Sequence, residues 1–232
     1  MSTTGPSPFR RGLTDGLPFA ITGIPFGLVY GIVAVEAGLD FLQAFSMSLL
    51  VFGGASQFAA LAQLKDAAPA LMAVAAGLMV NLRMAIYSAS LAPHMGGGPL
   101  WKRALASYML VDNAYVCAIS DFEKRPNQSI GDKFSYYFAV AVPLCLSWML
   151  ASMAGIIGGR AIPSSYGIDF AVPLAFISLL APMLRNLAQV TACLVSVASV
   201  VLLAAMPYNS ELILGGLLGM LAGAEVERRR MR

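Results

Sequence analysis

The feature that most constrains this chain is a succession of long apolar runs separated by short polar breaks. A hydrocarbon core about 30 Å thick takes roughly 20 apolar residues to cross as helix. Eight stretches approach that length, at about 17–36, 42–64, 69–90, 103–120, 134–157, 170–184, 187–206 and 210–225. In lipid every backbone N–H and C=O must be satisfied internally, so runs of this kind read as helices. Composition excludes the water-soluble alternative, because 58% of the residues are hydrophobic and only 12% charged, against about 25% charged in ordinary globular domains. The expected fold is an all-α, polytopic transmembrane helix bundle of about eight spans. It forms one membrane domain over residues 1–232, with a polar segment at 1–16 and a basic tail at 226–232.

Charge sets the expected topology. With eight crossings and the N-terminus inside, eleven of the 15 basic residues fall on the cytoplasmic side, three fall outside (Lys102, Arg103, Arg160), and Arg83 lies within a span. This positive-inside bias places both termini in the cytoplasm of a bacterial inner membrane. The sixth stretch is short and holds Pro173 and Pro182, yet dropping it would move Arg185 and the four C-terminal arginines outside, so it is read as a crossing. The net charge of +3 gathers at the chain ends and is topology information, with no nucleic-acid partner implied. Arg10 and Arg11 ahead of an apolar run superficially suggest a signal peptide. No small-residue cleavage site follows and the run is too long, so the N-terminus is expected to be retained. Cys117, Cys145 and Cys193 lie singly in apolar runs, which argues for small core residues and against a disulfide framework, a metal site or a cofactor.

Small residues at four-residue spacing, Gly23, Gly27 and Gly31 in the first span and Gly215, Gly219 and Gly223 in the last, allow close helix approach. Pro18 and Pro25 interrupt the first span, which reads either as a tight kinked contact or as a broken helix of the kind that binds solutes in transporters. Asp15 precedes Pro18, and Asp169 precedes Pro173. Those two matches suggest that spans one to three and six to eight form an inverted repeat. In the second span, VFGGASQFAALAQL, Gly53 and Gly54 permit unwinding or close approach. Ser56 and Gln57 there bring polar groups to bilayer depth, as packing glue or as solute contacts.

The deepest charge is Arg83, in the run GLMVNLRMAIYSASLAP. A central arginine costs about 2.5 to 3.5 kcal/mol on insertion scales, so it needs a protein partner or a cavity. The comparably central opposite charge is Asp112 in the fourth span. On regular helices Tyr108, Asp112 and Tyr115 share one face, and Arg83, Tyr87 and Ser90 share another. These faces are expected to meet. The pair reads as a structural clamp, or as a site in which the guanidinium takes a carboxylate and Asp112 binds an ammonium or carries a proton. Asn81, two residues before Arg83, points to a different neighbour. Glu36 reads as interfacial, and His94 as a solvated loop residue after the third span.

On these residues the chain resembles the AzlC-type family, the large subunit of two-component branched-chain amino acid exporters. The segments that carry the resemblance are LPFAITGIPFGLVYGIVA, VFGGASQFAAL, VNLRMAIYSASLAP, VDNAYV and IDFAVPLAFISLLAP. The third-span motif and the glycine-rich segment ending in Ser56 and Gln57 are the most specific. The resemblance implies export of leucine, isoleucine, valine and often methionine, with a small hydrophobic AzlD-type subunit as partner. By position Gln57, Asn81, Arg83 and Asp112 match its motif sites. Where many members of that family carry an acidic residue after the aspartate of span four this chain has Asn113, so no carboxylate pair is expected there.

The expected activity is therefore transport of a small amphipathic solute, and no enzymatic reaction. Three other readings compete. A membrane-embedded serine hydrolase would use Ser56, but such a nucleophile needs a base within reach. A scaffold or sensor would show no flux. A passive channel would show flux without coupling.

Overall fold

The computed structural model describes residues 5–66, 68–159, 184, 186–204, 206 and 210–230. The sixth expected span, with Pro173, lies outside the described residues. All elements among the described residues are helical. They are α1 (Pro8–Glu36), α2 (Phe41–Leu50), α3 (Gly54–Lys65), α4 (Ala70–Met95), α5 (Leu100–Tyr108), α6 (Asp112–Lys124), α7 (Ile130–Gly159), α8 (Leu187–Leu202) and α9 (Ser210–Arg230). Helices α1, α4 and α7 are each long and apolar enough to cross a membrane, and α2 and α8 are shorter apolar helices. The all-helical membrane architecture is thus as expected, with three full-length spans standing where about eight were counted.

The difference has a physical cause in the second and fourth stretches, each of which is two helices. The second is interrupted at Val51–Gly53 and the fourth at Met109–Val111. An interruption inside an apolar run frees carbonyls that must find donors. Side chains supply them. Gln57 Nε2 donates to Met47 O at 3.2 Å and to Val51 O at 2.9 Å, and Tyr108 donates to Leu49 O. Tyr137 of α7 donates to Ala106 O at 2.8 Å, next to the second interruption. By contrast α1 runs unbroken through Pro18 and Pro25, which corrects the reading of those prolines as break points. Each proline deletes one N–H donor, and packing along α7 holds the rest of the helix.

The chain divides into two compact units, one of Met1–Gln57 with Asn81–Pro163, the other of Phe58–Val80 with Ser164–Arg232. In the first, α1 and α7 pack along their length through small residues. Gly12, Gly16, Gly27 and Gly31 are buried, and a Cβ added to Gly27 would lie 2.8 Å from Ala151 Cβ. Gly27 and Gly31 are therefore packing residues. Gly23 is not, because a Cβ there would meet nothing within 4 Å. On the α7 side of this contact, a Cβ on Gly155 would meet the backbone of Leu28. Gly31→Ala would drive a methyl into the backbone of Ser152, Gly155 and Ile156. It is expected to cost about 1–3 kcal/mol by overpacking, whereas Gly23→Ala should stay within about 0.5 kcal/mol. Thermal unfolding of the purified variants in detergent measures both.

In the second unit α8 and α9 pack together on the glycine stripe of the last span. Cβ atoms on Gly215, Gly219 and Gly223 would lie 2.5 Å from Val200 Cγ2, 2.6 Å from Ala192 O and 2.9 Å from Ala192 Cβ. Asn186 and Gln189 form a capping box at the start of α8, each side chain accepting the other's backbone N–H. At its far end α9 carries Glu225 paired with Arg228 and Arg229, both at 2.7 Å.

Candidate functional site

The interruption in the fourth stretch makes Asp112 the first residue of a new helix, α6. A carboxylate at a helix N-terminus is stabilised by the helix dipole. Arg83, near the middle of α4, meets it, with Nη2 3.0 Å from Asp112 Oδ2. Tyr87, one turn further along α4, donates its hydroxyl to Asp112 Oδ1 at 2.9 Å. Tyr115 donates to Ser90 Oγ at 3.0 Å, and the Tyr87 and Tyr115 rings stack at 4.2 Å with 7° between their planes. The two faces expected from helical spacing do meet, with one exception. Because the helix breaks at 109–111, Tyr108 is turned away from Asp112, and its ring packs edge-on against Phe52 at 5.1 Å.

The pair is not sealed. The Arg83 side chain is 28% exposed and that of Asp112 43%. Exposed charge close to the middle of an apolar helix cannot face hydrocarbon at acceptable cost, so this opening is where a polar molecule can reach the pair.

The remaining expected site residues gather at the other interruption. Gly53 lies in it, and Gly54 begins α3 beneath Trp148, where a Cβ would lie 2.5 Å from Trp148 Cη2. Ser56 is buried and donates to Gly53 O at 2.7 Å. Gln57 is fully buried, its amide nitrogen holding the two α2 carbonyls and its Oε1 left without a partner. Asn81 of α4 faces the same place, its Oδ1 lying 3.1 Å from where a Gly53 Cβ would be. Asn81 and Arg83 therefore serve different neighbours, one at each interruption.

Four buried polar atoms in this unit lack a hydrogen-bond partner: Gln57 Oε1, Asn81 Oδ1, Arg83 Nε and Trp148 Nε1. Each such atom costs about 1–3 kcal/mol when unsatisfied. Trp148 is a site residue that sequence reasoning missed, since a tryptophan inside an apolar run gives no polar signal. Asp121 was missed for a different reason. It sits among the cations of the α6–α7 connection, yet is buried and held by Arg11 at 3.4 Å, by Gln128 Nε2 at 2.7 Å and by Arg125. His94 was placed wrongly. It lies half-buried in the last turn of α4, which continues through Pro93, with its ring 5.6 Å from that of Phe122. A separate cavity of about 180 Å³ lies between α4, α5 and α7, lined by Ser88, Ser107 and Arg103 among apolar side chains.

Interrupted apolar helices, with loose ends held by side chains of other helices around an arginine–aspartate pair, define an integral membrane protein with a polar site inside its bundle. Residues 18–162 match the family model described as AzlC protein, and the chain belongs to that family. It is 27% identical to the inner membrane protein YgaZ of Escherichia coli over 211 residues, covering 88% of this chain and 85% of that one. It is 25% identical to uncharacterized membrane proteins of Helicobacter pylori and of Archaeoglobus fulgidus, over 74% and 77% of this chain and 75% and 77% of theirs. No solved structure matches the chain.

Proposed function

We propose that this protein exports leucine, isoleucine and valine, with methionine as a further substrate, across the bacterial inner membrane. Transport is coupled to protons and requires a small AzlD-type subunit, and both termini face the cytoplasm. The observation that carries the reading is the open Arg83–Asp112 pair with Tyr87 at the start of α6. An arginine there offers a fixed fork to a carboxylate. A carboxylate within a membrane helix bundle is a common proton carrier. Membership of the AzlC family supports the same reading. Branched side chains need only an apolar lining, and because a methylene changes binding by only about 1–3 kcal/mol, selectivity among them is expected to be broad.

The serine hydrolase alternative has less support. The Ser56 hydroxyl is committed to Gly53 O, and the chain's single histidine packs by Phe122. Labelled leucine and methionine in proteoliposomes test the proposal. Flux is expected with the small subunit present, rising when a proton gradient is imposed. No flux with the subunit present overturns export, and flux indifferent to the gradient makes the protein a passive channel.

A further inference from the structure

The amino-acid reading leaves open what holds the ammonium end of the solute. The obvious candidate, Asp112, already has Arg83 and Tyr87 on its two oxygens. We propose that the ammonium group is bound at the interruption between α2 and α3, by Gln57 Oε1 and Asn81 Oδ1. This rests on the reading of the solute as an amino acid.

Three observations lead there. The orientation of Gln57 is fixed, because its Nε2 donates to two backbone carbonyls and the flipped amide would set oxygen against both. Its Oε1 is thus an acceptor without a donor on a fully buried side chain. Asn81 Oδ1, a second unpartnered acceptor, approaches the bare face of Gly53, where a Cβ would stand 2.7 Å from Ser56 Oγ and 3.1 Å from Asn81 Oδ1. Glycine keeps that space clear. The unit's two unpartnered donors, Arg83 Nε and Trp148 Nε1, complete the set, with Trp148 covering Gly54. Two acceptors and two donors are the complement of an α-amino acid, which brings N–H donors on one group and carboxylate oxygens on the other. A bare cation or a water molecule would satisfy the acceptors and leave the donors empty. The other unpartnered buried atoms among the described residues belong to Gln63 and Glu211 in the second unit.

The test is competition for labelled leucine on the protein with its small subunit. The competitors are leucine, 4-methylpentanoate (leucine without its amino group) and isoamylamine (leucine without its carboxylate). A site built to hydrogen-bond a group rejects the analogue lacking it, so the wild type is expected to prefer leucine over 4-methylpentanoate by at least about 100-fold. Asn81→Leu should reduce that preference to about threefold or less while leaving the preference over isoamylamine. Asn81→Asp, which keeps size and an acceptor, should retain it, and tests the proposal even if the leucine variant fails to fold. An unchanged preference in Asn81→Leu overturns the proposal, as does its loss in Asn81→Asp. So does a result in which replacing sodium by choline weakens leucine binding in the wild type but not in Asn81→Leu, since the acceptors would then hold a metal cation. No leucine flux in the wild type overturns the transport reading and this proposal together. Flux with an unaltered preference overturns this proposal alone.

Discussion

Arg83→Ala is expected to abolish leucine flux. Truncating one partner of a hydrogen-bonded charge pair removes about 2–5 kcal/mol, which is roughly 30-fold to several thousand-fold in the rate or affinity that depends on it. Part of that loss would also follow from a merely structural clamp, because Asp112 would be left uncompensated within an apolar bundle. The double variant Arg83→Gln/Asp112→Asn separates the two. It removes both charges, so folded yield is expected to recover to near wild type while flux stays absent. Recovery of flux in the double variant would show that the pair only braces the fold. Asp112→Asn alone keeps an oxygen for the Tyr87 hydroxyl, which now bonds Asp112 Oδ1 at 2.9 Å, but it cannot exchange a proton. Leucine exchange down its gradient should persist and gradient-driven transport should stop. Coupled transport at the normal rate in Asp112→Asn would refute the proton-carrier role.

These charges were legible in the sequence because an ionised group in an apolar run must find a partner, and Arg83 and Asp112 were the two deepest of opposite sign. Helical spacing then put Tyr87, Ser90 and Tyr115 on the meeting faces. Spacing failed at Tyr108, since it presumes an unbroken helix and Met109–Val111 contains neither glycine nor proline to signal the break. What decides that break lies far off in sequence, where Tyr137 supplies a donor to Ala106 O. The prolines misled in the opposite direction. Pro18 and Pro25 look like breaks, yet α1 is held straight through them by its glycine contacts with α7. The interruption at Val51–Gly53 was better announced, since Gly53, Gly54 and two polar residues stand together in an apolar run. Trp148 gave no signal because its hydrogen-bonding capacity is one indole N–H on an otherwise apolar side chain.

The largest effect on stability is expected at Asp121, away from the candidate site. Its carboxylate is 3% exposed and faces Arg11, which is 15% exposed, together with Gln128 Nε2 and the half-exposed Arg125. It sits near the C-terminus of α6, where the helix dipole disfavours a negative charge. Its retention there therefore depends on these donors, and they in turn depend on it. Arg11 also donates to Pro6 O at 2.9 Å and lies 3.4 Å from Gln128 Oε1, so one carboxylate ties the start of α1 to the end of α6 and to the turn before α7. Asp121→Ala leaves the Arg11 guanidinium largely buried without its counter-charge. Breaking a buried pair costs about 3–5 kcal/mol. The share owed to Arg125 is small because exposed pairs contribute about 0–1 kcal/mol. A net loss of about 2–4 kcal/mol should lower the unfolding temperature by roughly 5–15 °C for a chain of this size. Arg125→Ala should lower it by no more than about 4 °C, while Arg11→Ala should approach the effect of Asp121→Ala. Thermal unfolding of the three variants in detergent reads these directly. An Asp121→Ala protein that unfolds at the wild-type temperature would mean that the three donors find water as readily as the carboxylate, and that the tie carries no load in the fold.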